Sequence, residues 1–190
     1  MFTSTKPRTV LITGSTRGIG LATAAEFVRE GDNVVIFCRH EDHGKDALKK
    51  LDEIKYSGGK AVGGNKIVAL AGDVRSPMDI KRIIKDTAGQ FGTIDVLINN
   101  AGIAIWKPAE ETTEDEWDNV LDTNLKGYFL FIREVLPIMK NRRSGMIINV
   151  SSGLGRKGEA RYSAYSSSKF GIVGLSEVVA AETEDDGIKV

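Results

Sequence analysis

Tyr165 and Lys169 lie four residues apart, a spacing that sets both on one face of a helix. A phenol titrates near 10 and is a poor base at neutral pH. Bringing that value to about 7 takes roughly 4 kcal/mol of preferential stabilisation of the phenolate. An ammonium one turn away and an oxidised nicotinamide, both positive, can supply much of this where water is scarce. A hydroxyl such as that of Ser152 adds a hydrogen bond. Such a tyrosine would give a proton to a carbonyl oxygen as hydride reaches the carbon, and take it back in the reverse direction. Ser152 would hold the substrate oxygen and steady its developing charge. Alone, a Tyr/Lys pair at this spacing is more often a surface pair, so its weight depends on what accompanies it.

The second chemical feature is Thr13-Gly14-Ser15-Thr16-Arg17-Gly18-Ile19-Gly20, where the first apolar run meets the first amphipathic stretch. Glycines there allow a tight turn and close approach of backbone to a pyrophosphate, held by exposed N–H groups and the helix dipole. An ordinary strand-to-helix turn is the plain alternative, and its place after the first strand favours a dinucleotide. The spacing Gly-x-x-x-Gly-x-Gly is not that of a phosphate loop ending Gly-Lys-Ser/Thr, which argues against ATP hydrolysis. Adenosine ribose is discriminated at the end of the second strand. Here that end reads Phe37-Cys38-Arg39-His40, with no carboxylate before Glu41. Arg39 can fork onto a 2′-phosphate and Arg17 can reach the same group, whereas Glu41 and Asp42 oppose it. The expected cofactor is NADP(H) rather than NAD(H).

These residues need a scaffold. Val10–Ile12, Val34–Phe37, Ile67–Leu70, Ile94–Ile98 and Met146–Val150 read as five strands. Helices are expected from about Gly18 to Gly31, Glu41 to Tyr56, after the capping-box pattern Ser76-Pro77-Met78-Asp79, after a second such pattern at Thr113-Glu114-Asp115-Glu116, on to about Met139, and from Tyr162 to Glu184. Tyr56 to Lys66, with four glycines, reads as a loop. Strand and helix in alternation, with continuous Val/Ile/Leu strands, mean an α/β fold: a Rossmann-type, doubly wound parallel sheet. No linker or internal repeat divides it, so residues 1–190 are expected to form one dinucleotide-binding and catalytic domain.

The chain has 190 residues, with 26 Lys plus Arg balanced by 26 Asp plus Glu. That balance gives no global bias towards nucleic acid, membranes or acidic partners. One cysteine, Cys38, excludes an intramolecular disulfide and a multi-cysteine metal site. There is no leader-like or membrane-spanning apolar run, so a cytoplasmic protein is expected. His40 and His43 lack a third ligand nearby, and no metal is expected.

In order and spacing, the motifs resemble those of the short-chain dehydrogenase/reductase family along nearly the whole length. Thr13 to Gly20 matches the family's Thr-Gly-x-x-x-Gly-x-Gly turn, Asn99-Asn100-Ala101-Gly102 its Asn-Asn-Ala-Gly segment, and Asn124-Leu125-Lys126-Gly127 its Asn-x-x-Gly helix motif. Ser151-Ser152 closes the fifth strand, with Tyr165 thirteen residues beyond Ser152 and Tyr165 to Lys169 matching Tyr-x-x-x-Lys. The resemblance implies an oxidoreductase that moves hydride between nicotinamide and a small carbonyl or alcohol. Tyr165 would be the general acid/base, Ser152 the partner of the substrate oxygen, and Lys169 the group that favours phenolate and binds nicotinamide ribose. Asn124 would hold a water relaying protons towards Lys169. The cofactor would lie against Gly14, Ser15, Arg17, Gly18, Ile19, Gly20, Arg39, Asp73, Val74, Asn99, Ala101 and Gly102, with Asp73 at the adenine. The last two long helices, with Phe170, Val173, Leu175 and Val178, would form a homodimer or homotetramer. Trp106 and Trp117 could line a substrate mouth. The sequence ends at Gly187-Ile188-Lys189-Val190, where family members normally go on to a sixth strand, a nicotinamide-contacting Pro-Gly segment, a substrate loop and a seventh strand. The expectation is therefore a sheet that lacks an edge and a chain impaired by itself. A dinucleotide-binding regulator or scaffold is the competing function.

Overall fold

A computed structural model describes residues 6–57 and 65–190, so most of the expected glycine-rich loop, residues 58–64, lies outside the described residues. Six strands form one sheet: β1 (Thr9–Thr13), β2 (Asn33–Cys38), β3 (Ile67–Ala71), β4 (Val96–Asn99), β5 (Gly145–Asn149) and β6 (Ile188–Lys189). Every neighbouring pair is parallel, in the order β3-β2-β1-β4-β5-β6. Parallel pairing requires a crossover between strands, and helices supply it. They are α1 (Gly18–Arg29), α2 (Glu41–Ser57), α3 (Pro77–Phe91), α4 (Glu114–Leu121), α5 (Gly127–Arg142) and α6 (Ser163–Glu182).

Alternation along each strand divides the core into two layers. Leu11, Val35, Phe37, Leu97 and Ile147 face Ile80, Ile83, Phe131, Val135 and Val179, from α3, α5 and α6. Val10, Ile12, Val34, Ile36, Val96 and Ile98 face Ala24, Val28, Ala47 and Leu51, from α1 and α2. Strands covered on both faces must be apolar at every position, which is why β1 and β2 read as unbroken apolar runs. No helix among the described residues is long and apolar enough to cross a membrane.

Two sequence expectations change. The pattern at Ser76 makes half a capping box: Ser76 Oγ accepts from the Asp79 N–H, but the Asp79 carboxylate accepts from the Asp73 N–H. Asp79 therefore steadies the loop after β3 instead of closing its own helix. The box at Thr113 and Glu116 is complete. The sheet edge also differs. The expectation that the sixth strand is missing is corrected by β6, whose Ile188 and Lys189 pair with Gly145 and Met146 of β5. A short helical turn at Glu184–Asp186, tied to α5 by Lys140–Asp186 and by Arg143 donating to the Asp185 carbonyl, returns the chain to the sheet and buries Ile188.

The chain leaves β3 at one edge and crosses over to β4, which pairs with β1 on its other side. Crossovers on either side of β1 then run in opposite directions, opening a crevice beyond the strand ends, where α/β sheets bind ligands.

Candidate active site

At that crevice β1 runs into α1 through the glycine turn. Gly14 has φ +63°, and a Cβ there would lie 2.8 Å from the Ala101 Cα. A Cβ on Gly20 would lie 2.4 Å from the Gly14 carbonyl oxygen and 2.5 Å from Asn100 Nδ2. Only glycine lets α1 begin this close to the end of β4. Two residues that were not singled out as site residues in the sequence hold the crevice together. Thr13 Oγ1 accepts from the N–H groups of Asn100 and Ala101, at 2.9 and 3.0 Å. Asn100 Nδ2 donates to the carbonyls of Thr13 and Gly14, both at 3.0 Å. The Thr-Gly and Asn-Asn-Ala-Gly patterns contained the signal, since each places a side chain able to bond main chain beside a glycine.

The expected adenosine end divides by role. The Ser15 hydroxyl is buried, donates to Ile12 O and accepts from Phe37 N, so its side chain ties β1 to β2. Arg17, Gly18, Ile19 and Arg39 are exposed, and neither arginine has an ion-pair partner among the described residues. The Asp73 carboxylate receives the Arg75 guanidinium through Nε and Nη2, and Arg75 Nη1 reaches Asn119 on α4 at 2.8 Å. The hydrogen bonds from Arg75 hold Asp73 below the usual carboxylate range, against the cost of burial, and the more distant Arg39 adds to them. The tie that Arg75 makes from Asp73 to α4 has no local signal in the sequence, because Asn119 is 44 positions away. Burial, and the charge of Glu41, push the Cys38 thiol up at the buried end of β2.

At the expected reacting centre Lys169 is 3% exposed. Its Nζ donates to Val150 O at 2.7 Å and lies 5.6 Å from the ring centroids of both Tyr165 and Tyr128. Burial lowers its pKa from 10.5 to about 8. Tyr128 is also buried, and its pKa is raised, first by burial and then by Tyr165. Ser151 Oγ donates to Lys169 O at 2.9 Å. Ser152 Oγ accepts from Leu154 N at 3.1 Å, a bond that leaves the hydroxyl proton uncommitted.

Asn124 sits fully buried in a π-helical turn, Asp122–Lys126, between α4 and α5. Three of its four amide hydrogen-bonding sites are used: Oδ1 accepts from Ile103 N, and Nδ2 donates to Ile103 O and Ser168 Oγ. The side chain thus clamps the loop after β4 to α6. Gly102 faces this clamp, since a Cβ there would lie 3.3 Å from Asn124 Oδ1 and 3.8 Å from Lys169 Nζ. Asn99 is fully buried, donates to Asn149 and has an Oδ1 without a protein partner. A cavity of about 340 Å³ lies between residues 109–118 and Ser163, and its lining includes Trp117 but none of the expected cofactor or catalytic residues.

Residues 8–190 match the family model for short chain dehydrogenase. The 3-oxoacyl-[acyl-carrier-protein] reductase FabG of Staphylococcus epidermidis is 37% identical over 183 residues, covering 96% of this chain and 72% of the relative. A solved actinorhodin polyketide ketoreductase variant with NADPH superimposes with a TM-score of 0.89 at 33% identity, over 97% of this chain and 68% of that one. A short-chain dehydrogenase from Streptomyces avermitilis gives a TM-score of 0.87 at 33% identity, over 98% and 64%.

Proposed function

Because the chain belongs to the short-chain dehydrogenase family, a family of oxidoreductases, we propose that it is an NADP(H)-dependent carbonyl reductase or alcohol dehydrogenase with Tyr165 as general acid/base. One observation carries the reading: Lys169, buried and cationic at neutral pH, lies beside the Tyr165 ring at the C-terminal ends of the strands. An ammonium held there by the Val150 carbonyl favours a phenolate, and its remaining protons can bond a ribose hydroxyl.

The residues present fit a dinucleotide. The turn from Gly14 to Gly20 has no side chain on its inner glycines, and Asn99 Oδ1 is a buried acceptor without a partner. When bound, the nicotinamide supplies or accepts the hydride. Arg17 and Arg39, exposed and uncompensated, would fork onto a 2′-phosphate, and Gly18, Ile19, Val74, Ala101 and Gly102 would line the cofactor cleft. The NADPH-bound ketoreductase structure and the FabG relative support this choice of cofactor. Arg75 would hold Asp73 in place for the adenine.

In reduction, the Ser152 O–H donates a hydrogen bond to the substrate carbonyl oxygen, and Tyr165 transfers the one proton that turns the developing alkoxide into an alcohol. Asn124 would hold the water that relays protons towards Lys169. A π-helical turn widens the backbone and frees groups for such a task. We also assign Phe129 on α5, with Phe170 and Val178 on α6, all exposed, to contacts in a homodimer or homotetramer.

The test is a screen of ketones and aldehydes with NADPH and with NADH, comparing the wild type with Tyr165→Phe. The variant should bind NADPH normally and lose turnover by about 10²- to 10⁴-fold, the usual worth of a general acid. Undiminished turnover would remove Tyr165 from the chemistry, and preference for NADH would remove Arg17 and Arg39 as selectors.

A further inference from the structure

We propose that Arg161, stacked on Trp106, is an anion-recognition site beside the reacting centre, and that the carbonyl or alcohol substrate carries a carboxylate or phosphate group. This rests on the oxidoreductase reading above and names the substrate class for that site. The segment joining β5 to α6 carries Arg156, Lys157 and Arg161 against Glu159 alone, and all four are exposed. Among the described residues, none of the three cations has a carboxylate at ion-pair distance. Lys107, on the facing loop, is by contrast neutralised by Glu116 at 2.9 Å. The uncompensated charge is therefore on the Arg161 side.

That charge is held in a defined place. The Arg161 guanidinium carbon lies 4.4 Å from the centroid of Trp106, whose ring side chain belongs to a residue 61% exposed. The Lys107 N–H donates to Arg161 O at 2.8 Å, and Lys107 forms a parallel bridge with Tyr162. Arg161 has φ +71°, a left-handed conformation unfavourable for a residue with a side chain. The bridge and the stack together hold it there. Tyr162 follows Arg161 in the chain, and its ring centroid is 6.0 Å from that of Tyr165. A guanidinium stacked on an indole keeps its in-plane N–H donors free, in the fork that fits a carboxylate or phosphate. Stacking also fixes the side chain beforehand, which lowers the entropy lost on binding. A substrate whose carbonyl meets Tyr165 and whose chain passes Tyr162 then places an anionic end on Arg161.

The chain has two tryptophans, so Trp117→Phe leaves Trp106 as the only one and its fluorescence as a local probe. Two matched pairs would be titrated into this protein: levulinate with methyl levulinate, and dihydroxyacetone phosphate with dihydroxyacetone. At least one anion should change Trp106 fluorescence saturably while its neutral partner does not, and Arg161→Met should weaken that response tenfold or more. In NADPH oxidation the same substitution should raise KM for the anionic member tenfold or more and leave kcat/KM for the neutral one within twofold. No anion-dependent signal, or one that survives Arg161→Met, overturns the site. A signal lost with Arg161→Met but accompanied by no oxidation of NADPH with any ketone overturns the oxidoreductase reading and leaves the anion site standing.

Discussion

At the scale of single residues, hydroxyls and amides are allotted to different tasks by their neighbours. Ser151 and Ser152 are adjacent in sequence, yet Ser151 Oγ is committed to Lys169 O and Ser152 Oγ keeps its proton. Spacing to Tyr165 favoured Ser152 as partner of the substrate oxygen, the role we propose for it because its hydroxyl proton is uncommitted. Asn124, expected to hold a water, spends three of its four amide hydrogen-bonding sites on Ile103 and Ser168. Lys169 yields a prediction that needs no substrate. Its folded pKa is about 8 against 10.5 in an unfolded chain, because burial disfavours the ammonium. Between those values the unfolded chain holds a proton that the folded one has released, so stability rises with pH across the window. Replacing Lys169 by Met removes the effect. Urea unfolding at pH 7.5 and 10.5 should show the wild type gaining on Lys169→Met by up to about 3 kcal/mol as pH rises, a shift of this size at 1.36 kcal/mol per unit. An unchanging difference would mean that the ammonium is not desolvated.

At the scale of elements, caps and loops carry the positioning. The capping box of Thr113 and Glu116 starts α4, which runs into the π-helical turn holding Asn124. Glu116 also takes the Lys107 ammonium at 2.9 Å through both carboxylate oxygens, tying the loop after β4 to that helix. Thr113→Ala should therefore lower stability by about 1 kcal/mol in urea unfolding, the usual worth of an N-cap hydroxyl. A loss near zero would show that Glu116 alone secures the helix start. The two capping patterns were equally legible in sequence, but only one is complete. Nothing local to Ser76–Asp79 shows that the Asp79 carboxylate bonds Asp73 instead.

At the scale of the whole molecule, the twofold layering of the core leaves a few large apolar side chains in water. On α6 the expected subunit-contact residues separate: Leu175 packs against the core, while Phe170 and Val178 are 45% and 55% exposed. Phe129 on α5 is exposed to the same degree as Phe170. If these side chains meet a second copy, sedimentation of the wild type should give a dimer or tetramer at micromolar concentration. Val178→Glu should sediment as a smaller species with unchanged circular dichroism, because a carboxylate cannot be buried unpaired in an apolar contact. A wild type that is monomeric throughout would remove these helices as an interface.

The sequence by itself determined the fold class, the first five strands to within a residue or two, and the motifs that led to the family. Each of these is written in short-range order: alternation of apolar runs, a glycine spacing, a Tyr-x-x-x-Lys step along one helix face. The loop after β3, the different bonding of two adjacent serines, the clamp at Asn124 and the stack of Arg161 on Trp106 were decided only by tertiary structure. They join residues such as Arg75 and Asn119, 44 positions apart, or Thr13 and Ala101, 88 apart, which no local pattern relates. The sixth strand belongs with them. Two residues make too short a run to read, and Ile188 and Lys189 become a strand because β5 presents an edge where Gly187 returns the chain.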